Sequence, residues 1–201
     1  NSHAPSVVNL SVAKNWVDGD NQDGARPEQV SVDVLRSEGS TTTKTIVATL
    51  KLSAENNWTE TLDKQPVYGK SGKYAYSISE AKVDGYTGSV ETAVDESGNY
   101  AFTLTNTHAV ETTQVGVTKV WDDVENADGL RPDSVQVQLY RSVDGGEAVA
   151  MNGYKITLNA DNSWKGSWTD LPANEDGKQI AYTVKEVDVP AGYTCAISEN
   201  A

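Results

Sequence analysis

Apolar and polar side chains alternate along short segments of this chain, which is the pattern of half-buried β-strands. In residues 8–16 every even-numbered position is apolar except Lys14. Alternate residues of a strand share a face, so the pattern places Lys14 on the side that packs into a core. No window has the i, i+3, i+4, i+7 spacing of an amphipathic helix, and we therefore predict an all-β chain.

Two further segments carry a polar residue on an apolar face. The even-numbered positions of residues 74–80 are apolar until Glu80, and those of residues 100–106 are apolar until Asn106. A buried charge is costly unless it is paired or neutralised, so Lys14, Glu80 and Asn106 would satisfy one another if they converged in one core. The alternative is that each lies at a rim, where its polar head reaches water.

The second half of the chain repeats the first. SVAKNW at 11–16 matches GVTKVW at 116–121, so Lys119 corresponds to Lys14. YSISEAKVDGYT at 76–87 matches YTVKEVDVPAGYT at 182–194, so Glu186 corresponds to Glu80. Recurrence of both residues at matched positions favours a paired role over the rim alternative.

The repeat predicts the domain limits. We expect a first domain over 7–109 and a second over 110–201, with 1–6 as the tail of a preceding repeat or a linker. NSHA at 1–4 resembles NTHA at 106–109, so Asn1 would close an upstream copy. The counterpart of Asn106 in the second copy would fall beyond residue 201, and we expect that domain to lack its last strand.

Charge and composition exclude several classes of function. The formal net charge is −13, and an acidic surface has no basic footprint for nucleic acid. No apolar stretch approaches the roughly 20 residues that span a bilayer, so we expect no direct membrane contact. Cys195 is the sole cysteine, which excludes an intrachain disulfide and leaves the source of stability open.

Candidate ligand and metal sites are weak. DGDNQDG at 18–24 is acidic, but an EF-hand needs Gly at its sixth position and Glu at its twelfth, where this chain has Asp23 and Gln29. Three tryptophans could line a ligand surface or pack in the core: Trp58, Trp164 and Trp168. Without a Ser-His-Asp set, a phosphate loop or a Cys/His cluster, we expect no cofactor, no metal and no enzyme activity on a separate substrate.

Together these motifs resemble a known family. VTKVWDD, RPDSVQVQLYRS and YTVKEVDVPAGYT occur in order in the second copy and have counterparts in the first. They are similar to the B-type repeat of the Gram-positive collagen adhesin, the CnaB domain. The resemblance implies two tandem immunoglobulin-like β-sandwiches of the reverse, prealbumin-like type. It also implies a stalk or spacer module of an extracellular, cell-wall-anchored adhesin or pilin.

The resemblance implies a self-made isopeptide bond as well. Carried onto this chain, it joins Lys14 to Asn106 with Glu80 as proton shuttle, a single-turnover self-modification. For the second copy it implies Lys119 with Glu186, but the partner Asn is absent from the chain. Burial favours a neutral lysine amine and a protonated glutamate, which suits that chemistry.

The partners implied are neighbouring repeats of the same protein. An Asn or a strand from another chain could complete the second copy, and Asn1 of a neighbouring molecule is one conceivable donor. The alternative function is an adhesive module that binds a host protein or glycan. The similarity of the two copies favours a spacer.

Overall fold

The computed structural model describes residues 4–198, and those residues are almost entirely β-strand. The chain divides into two compact units, one drawn from residues 1–21 and 25–109 and the other from 22–24 and 110–201. In the described part no helix is long and apolar enough to cross a membrane. Asn1, which the sequence relates to Asn106, lies outside the described residues.

The first unit is a sandwich of two sheets. One sheet has the order β4-β1-β7-β6 and the other has the order β3-β2-β5. A single 3-10 turn at Ala54–Asn56 precedes β4. The strands are β1 (Val7–Val17), β2 (Gln29–Glu38), β3 (Thr45–Ser53), β4 (Thr59–Pro66), β5 (Tyr74–Glu80), β6 (Thr87–Val94) and β7 (Tyr100–Thr107).

The first and last strands of this unit are neighbours. β1 pairs with β4 in antiparallel register and with β7 in parallel register. In the parallel ladder Lys14 lies opposite Leu104 and Trp16 lies opposite Asn106. The predicted alternation is confirmed, because the inward residues of β1 from Val8 to Lys14 and those of β7 from Phe102 to Asn106 are buried, and Tyr100 is half-buried.

The core between the sheets is aliphatic with a few aromatic residues. Its most deeply buried members are Leu10, Val12, Val32, Val34, Leu52, Phe102 and Leu104. Tyr76 adds a polar anchor, because its hydroxyl donates a hydrogen bond of 2.7 Å to the carbonyl of Pro66. That bond ties the end of β4 to β5.

The second unit repeats this plan with fewer strands. One sheet has the order β10-β9-β13-β12, and the other consists of β8 and β11. Tyr182 donates to the carbonyl of Pro172, as Tyr76 does to Pro66. The strands are β8 (Thr112–Thr118), β9 (Ser134–Val143), β10 (Val149–Asn159), β11 (Lys165–Pro172), β12 (Asn174–Glu175) and β13 (Lys178–Val187).

The described residues of the second unit contain no strand after β13. Counterparts of β6 and β7 are thus not found in the described part of this unit, and the expectation that the domain lacks its last strand stays a prediction. As a result, β8 is paired only with β11, whereas β1 of the first unit has a strand on each side. The fold class is as predicted, two tandem immunoglobulin-like β-sandwich domains.

Candidate functional site

Lys14 lies inside the first sandwich. Its side chain is 0% exposed, and its backbone N–H donates a hydrogen bond of 2.8 Å to the carbonyl of Trp58. That bond anchors the end of β1 to the turn before β4.

Glu80 meets Lys14 from the opposite sheet. It is the last residue of β5, and its side chain is 9% exposed. The Lys14 Nζ atom lies 2.8 Å from Glu80 Oε1 and 3.0 Å from Oε2. Burial lowers the pKa of Lys14 below its ordinary value, although the hydrogen bond and charge of Glu80 act in the opposite direction.

Asn106 completes the group from β7. The residue is 1% exposed, and its Oδ1 atom is buried with no hydrogen-bond partner among the described residues. Asn106 Oδ1 and Glu80 Oε2 both lie within 4 Å of the point that a Cβ of Gly88 would occupy. The structure thus brings the three predicted residues of the first unit together, two from one sheet and one from the other.

A cleft of about 280 Å³ borders this group on the side of β5 and β6. Its lining includes Glu80, Tyr86, Gly88, Leu104 and Asn106. The cleft therefore borders Asn106 and Glu80, whereas Lys14 is not part of its lining.

Aromatic rings enclose the lysine end of the site. Lys14 Nζ lies 4.7 Å from the centre of the Trp16 ring, within cation–π range. Trp58 and Tyr86 both meet Trp16 edge to face, at 5.1 Å and 5.0 Å between ring centres. Trp58 is therefore a packing residue of the site, not part of an exposed ligand surface.

A second polar group holds this aromatic cluster. Asp18 is 3% exposed and accepts hydrogen bonds from Arg26 Nε, Arg26 Nη2 and the hydroxyl of Tyr86. These bonds lower the pKa of Asp18 to about 2, with the bond from Arg26 as the largest cause. Asp18, Arg26 and Tyr86 are called the Asp18 clasp below.

The second unit repeats the lysine and glutamate. Lys119 Nζ lies 2.9 Å from Glu186 Oε2, and the two side chains are 14% and 5% exposed. The Lys119 amine lies 4.5 Å from the centre of the Trp121 ring, and Trp164 meets Trp121 edge to face. The backbone N–H of Lys119 donates to the carbonyl of Trp164, as that of Lys14 does to Trp58.

The clasp is also repeated. Asp123 accepts from Arg131 and, at 2.9 Å, from the hydroxyl of Tyr193. The pKa of Asp123 is held well below its ordinary value, chiefly by the hydrogen bond from Arg131. Tyr193 packs edge to face on Trp121.

The difference between the units lies where Asn106 would be. In the described part of the second unit, no strand lies where β7 lies in the first, so no residue occupies the Asn106 position. Cys195 lies beside this pair instead, and its pKa is raised by burial and by its hydrogen bond and charge interaction with Glu186. The structure therefore assembles two of the three groups in the second unit.

The acidic loop at 18–24 has a structural explanation in Asp18, whose carboxylate binds Arg26 and Tyr86. Among the described residues there is no group of three His, Cys, Asp or Glu side chains placed to hold a metal ion. Trp164 packs on Trp121, and Trp168 is buried in the second core, so neither forms an exposed aromatic surface.

Sequence reasoning missed Asp18, Tyr86 and Gly88. For the first two a signal was present, because Asp18 and Tyr86 recur as Asp123 and Tyr193 at about the repeat distance. Gly88 gives no such signal, since GYTG at 85–88 becomes GYTC at 192–195.

Comparison with known proteins identifies the family. The chain is 36% identical over 200 residues to a collagen adhesin of Staphylococcus aureus, and it covers 15% of that protein's length. The crystal structure of a single B repeat unit (B1) of the collagen binding surface protein of S. aureus has 36% identity and a TM-score of 0.40, covering 96% of this chain and 92% of that one. A structure of two such units, B1B2, has 35% identity and a TM-score of 0.41, and the match covers 99% of this chain and 48% of that one. The family profile described as Cna protein B-type domain matches residues 10–107 and 115–201, and the chain therefore belongs to that family, with two copies of its domain.

Proposed function

We propose that this chain is a load-bearing spacer of a cell-wall-anchored bacterial surface protein, an adhesin or a pilin, and that its first unit locks itself with a covalent bond between Lys14 and Asn106. The supporting observation is the buried pair Lys14–Glu80, which joins the two sheets beside Asn106 on β7. The carboxamide oxygen of Asn106 has no hydrogen-bond partner among the described residues, so it is open to a bond from a protonated Glu80.

The proposed reaction balances within these three side chains. A proton leaves Lys14 Nζ for Glu80, whose Oε1 atom is 2.8 Å away. The neutral amine attacks the Cγ atom of Asn106, a bond forms between Nζ and Cγ, and the bond from Cγ to the carboxamide nitrogen breaks. Glu80 relays one proton to the departing nitrogen, which leaves as ammonia, and the second proton shed by the amine stays on Glu80. No oxidant or cofactor takes part.

The electrostatics of the site support this sequence. Because burial lowers the pKa of Lys14, less free energy is needed to form the neutral amine than in water. Once protonated, Glu80 can donate a hydrogen bond to the unpaired Oδ1 atom of Asn106 and polarise its carbonyl. The cleft beside Asn106 gives ammonia a way out.

The topology supports a mechanical role. β1 and β7 are parallel neighbours at the two ends of the first unit, so tension along the chain shears one strand past the other. A bond from Lys14 to Asn106 would carry that load covalently, so the residues between them would not be extended under tension.

For the second unit we propose that Lys119 and Glu186 await an Asn from a neighbouring repeat or another chain. Their preformed ion pair supports this proposal. Host-ligand binding has less support, because Trp58, Trp164 and Trp168 pack into the two units instead of forming a ligand surface.

Single-molecule stretching of the whole chain tests the mechanical proposal. The bond would shield 106 − 14 = 92 residues, which is an extension of about 330 Å that the first unit cannot release. The second unit, which has no bond of its own in this proposal, spans a similar length and should unfold in either chain. We therefore expect one such release from the unaltered chain and a second one from the Lys14→Met variant. Two releases of this length by the unaltered chain would contradict the proposal.

A further inference from the structure

Gly88 lies directly beside the reacting group. It is a residue of β6 and is paired in the ladder with Asn106. Its φ is not in the left-handed region, so the backbone does not demand glycine. Glycine inside a strand also weakens it, because it has no side chain to pack and loses more entropy on folding. A different reason is needed for glycine at this position.

The space around Gly88 supplies that reason. A Cβ atom at this position would lie 3.0 Å from Asn106 Oδ1 and 3.8 Å from Glu80 Oε2. The first distance is shorter than an ordinary van der Waals contact. Any side chain at position 88 would therefore push the carboxamide of Asn106 by a few tenths of an ångström.

We infer that Gly88 is a positioning residue for the cross-link. Because it has no side chain, the carboxamide of Asn106 can lie against Glu80 and within reach of Lys14. The inference rests on the proposed function, because it concerns the rate of that same reaction. Gly88 contributes no reacting atom.

The second unit offers a natural comparison. GYTG at 85–88 corresponds to GYTC at 192–195, which places Cys195 at the position of Gly88. The thiol of Cys195 interacts with Glu186, the counterpart of Glu80. Cys195 is exposed and lies outside the described strands, so it corresponds to Gly88 in sequence position and in its nearness to the glutamate only.

The size of the effect follows from the geometry. A misplacement of about 1 Å can slow an oriented reaction by about 100-fold, so a few tenths of an ångström corresponds to roughly three- to fivefold. We expect Gly88→Ala to slow cross-linking by about that factor. Gly88→Cys should slow it further, because its side chain is larger.

The rate is measured on newly synthesised full-length chain. Cell-free synthesis is stopped after a short pulse, and intact mass spectrometry follows the loss of one ammonia with time. Gly116→Ala is the matched control, since Gly116 is also a strand glycine and its Cβ would meet nothing within 4 Å. We expect Gly116→Ala to react at the unaltered rate.

The outcomes separate the two proposals. If the unaltered chain never loses ammonia, the proposed cross-link is wrong. If the unaltered chain loses ammonia and Gly88→Ala does so at the same rate, the cross-link stands and the inference about Gly88 is overturned.

A second measurement distinguishes positioning from general destabilisation. In a Lys14→Met background, where no bond can form, Gly88→Ala is combined with Asn106→Ala. We expect Gly88→Ala to lower the unfolding midpoint more when Asn106 is present than when it is Ala, because the close contact is with Oδ1. Equal shifts in the two backgrounds would overturn the inference.

Discussion

Removing the proposed bond without leaving a buried charge gives the clearest stability prediction. The double variant Lys14→Met, Glu80→Gln keeps the approximate volume of both side chains and removes the buried pair together. Replacing both members of such a pair by neutral groups is often close to neutral for stability, whereas removing only one leaves a costly unpaired charge. The remaining effect is the loss of the cross-link.

The magnitude follows from loop closure. A bond between Lys14 and Asn106 closes a loop of 106 − 14 = 92 residues, which contributes about 4 to 5 kcal/mol to the free energy of unfolding. For a domain of this size, 1 kcal/mol shifts Tm by roughly 4–8 °C. The double variant should therefore lower the Tm of the first unit by roughly 16–40 °C.

Differential scanning calorimetry of the full chain measures this shift. The matched control is Lys119→Met, Glu186→Gln, which removes the corresponding pair from the unit that has no Asn at the third position among the described residues. We expect the control to shift its own transition far less. Equal shifts for the two double variants would refute the reasoning.

Three further predictions concern the surroundings of the site. The pKa of Asp18 is about 2 when folded and about 4 when unfolded, so its contribution is present above about pH 4 and is lost as pH falls toward 2. Allowing for solvent screening, Asp18→Asn should lower the free energy of unfolding by on the order of 1 to 2 kcal/mol at neutral pH. In denaturant unfolding measured at a series of pH values, the variant should lose less stability than the unaltered chain as pH falls from about 4 to about 2. An equal loss in both chains would contradict this. Tyr76→Phe should lower the free energy of unfolding by about 1 kcal/mol, because the Pro66 carbonyl loses its hydrogen bond. Denaturant unfolding measures this change, and no loss of stability would show that water replaces the bond. Glu80→Ala should leave the chain at its full mass after synthesis, and ammonia loss in that variant would exclude Glu80 as the proton shuttle.

The alternation of side chains was enough to predict the strands and the inward faces. A period of two is a local property, so β1 and β7 could be predicted from residues 8–16 and 100–106 alone. The repeat then linked Lys14 with Lys119 and Glu80 with Glu186. The structure adds the distance between each lysine and glutamate, which depends on how two sheets pack.

The Asp18 clasp and Gly88 required the fold. Asp18 belongs to an acidic loop whose sequence is typical of a solvated turn, and its partner Tyr86 is 68 residues away along the chain. The space at Gly88 is limited by Asn106 on the neighbouring strand, so it cannot be predicted from the sequence around position 88. Contacts between distant segments determine both features.

The intact mass of the purified chain tests the central claim most directly. We predict a mass one ammonia below that of the sequence, and the full mass when Lys14 is replaced by Ala. The unaltered chain at its full mass, or a deficit that survives Lys14→Ala, would contradict the bond between Lys14 and Asn106.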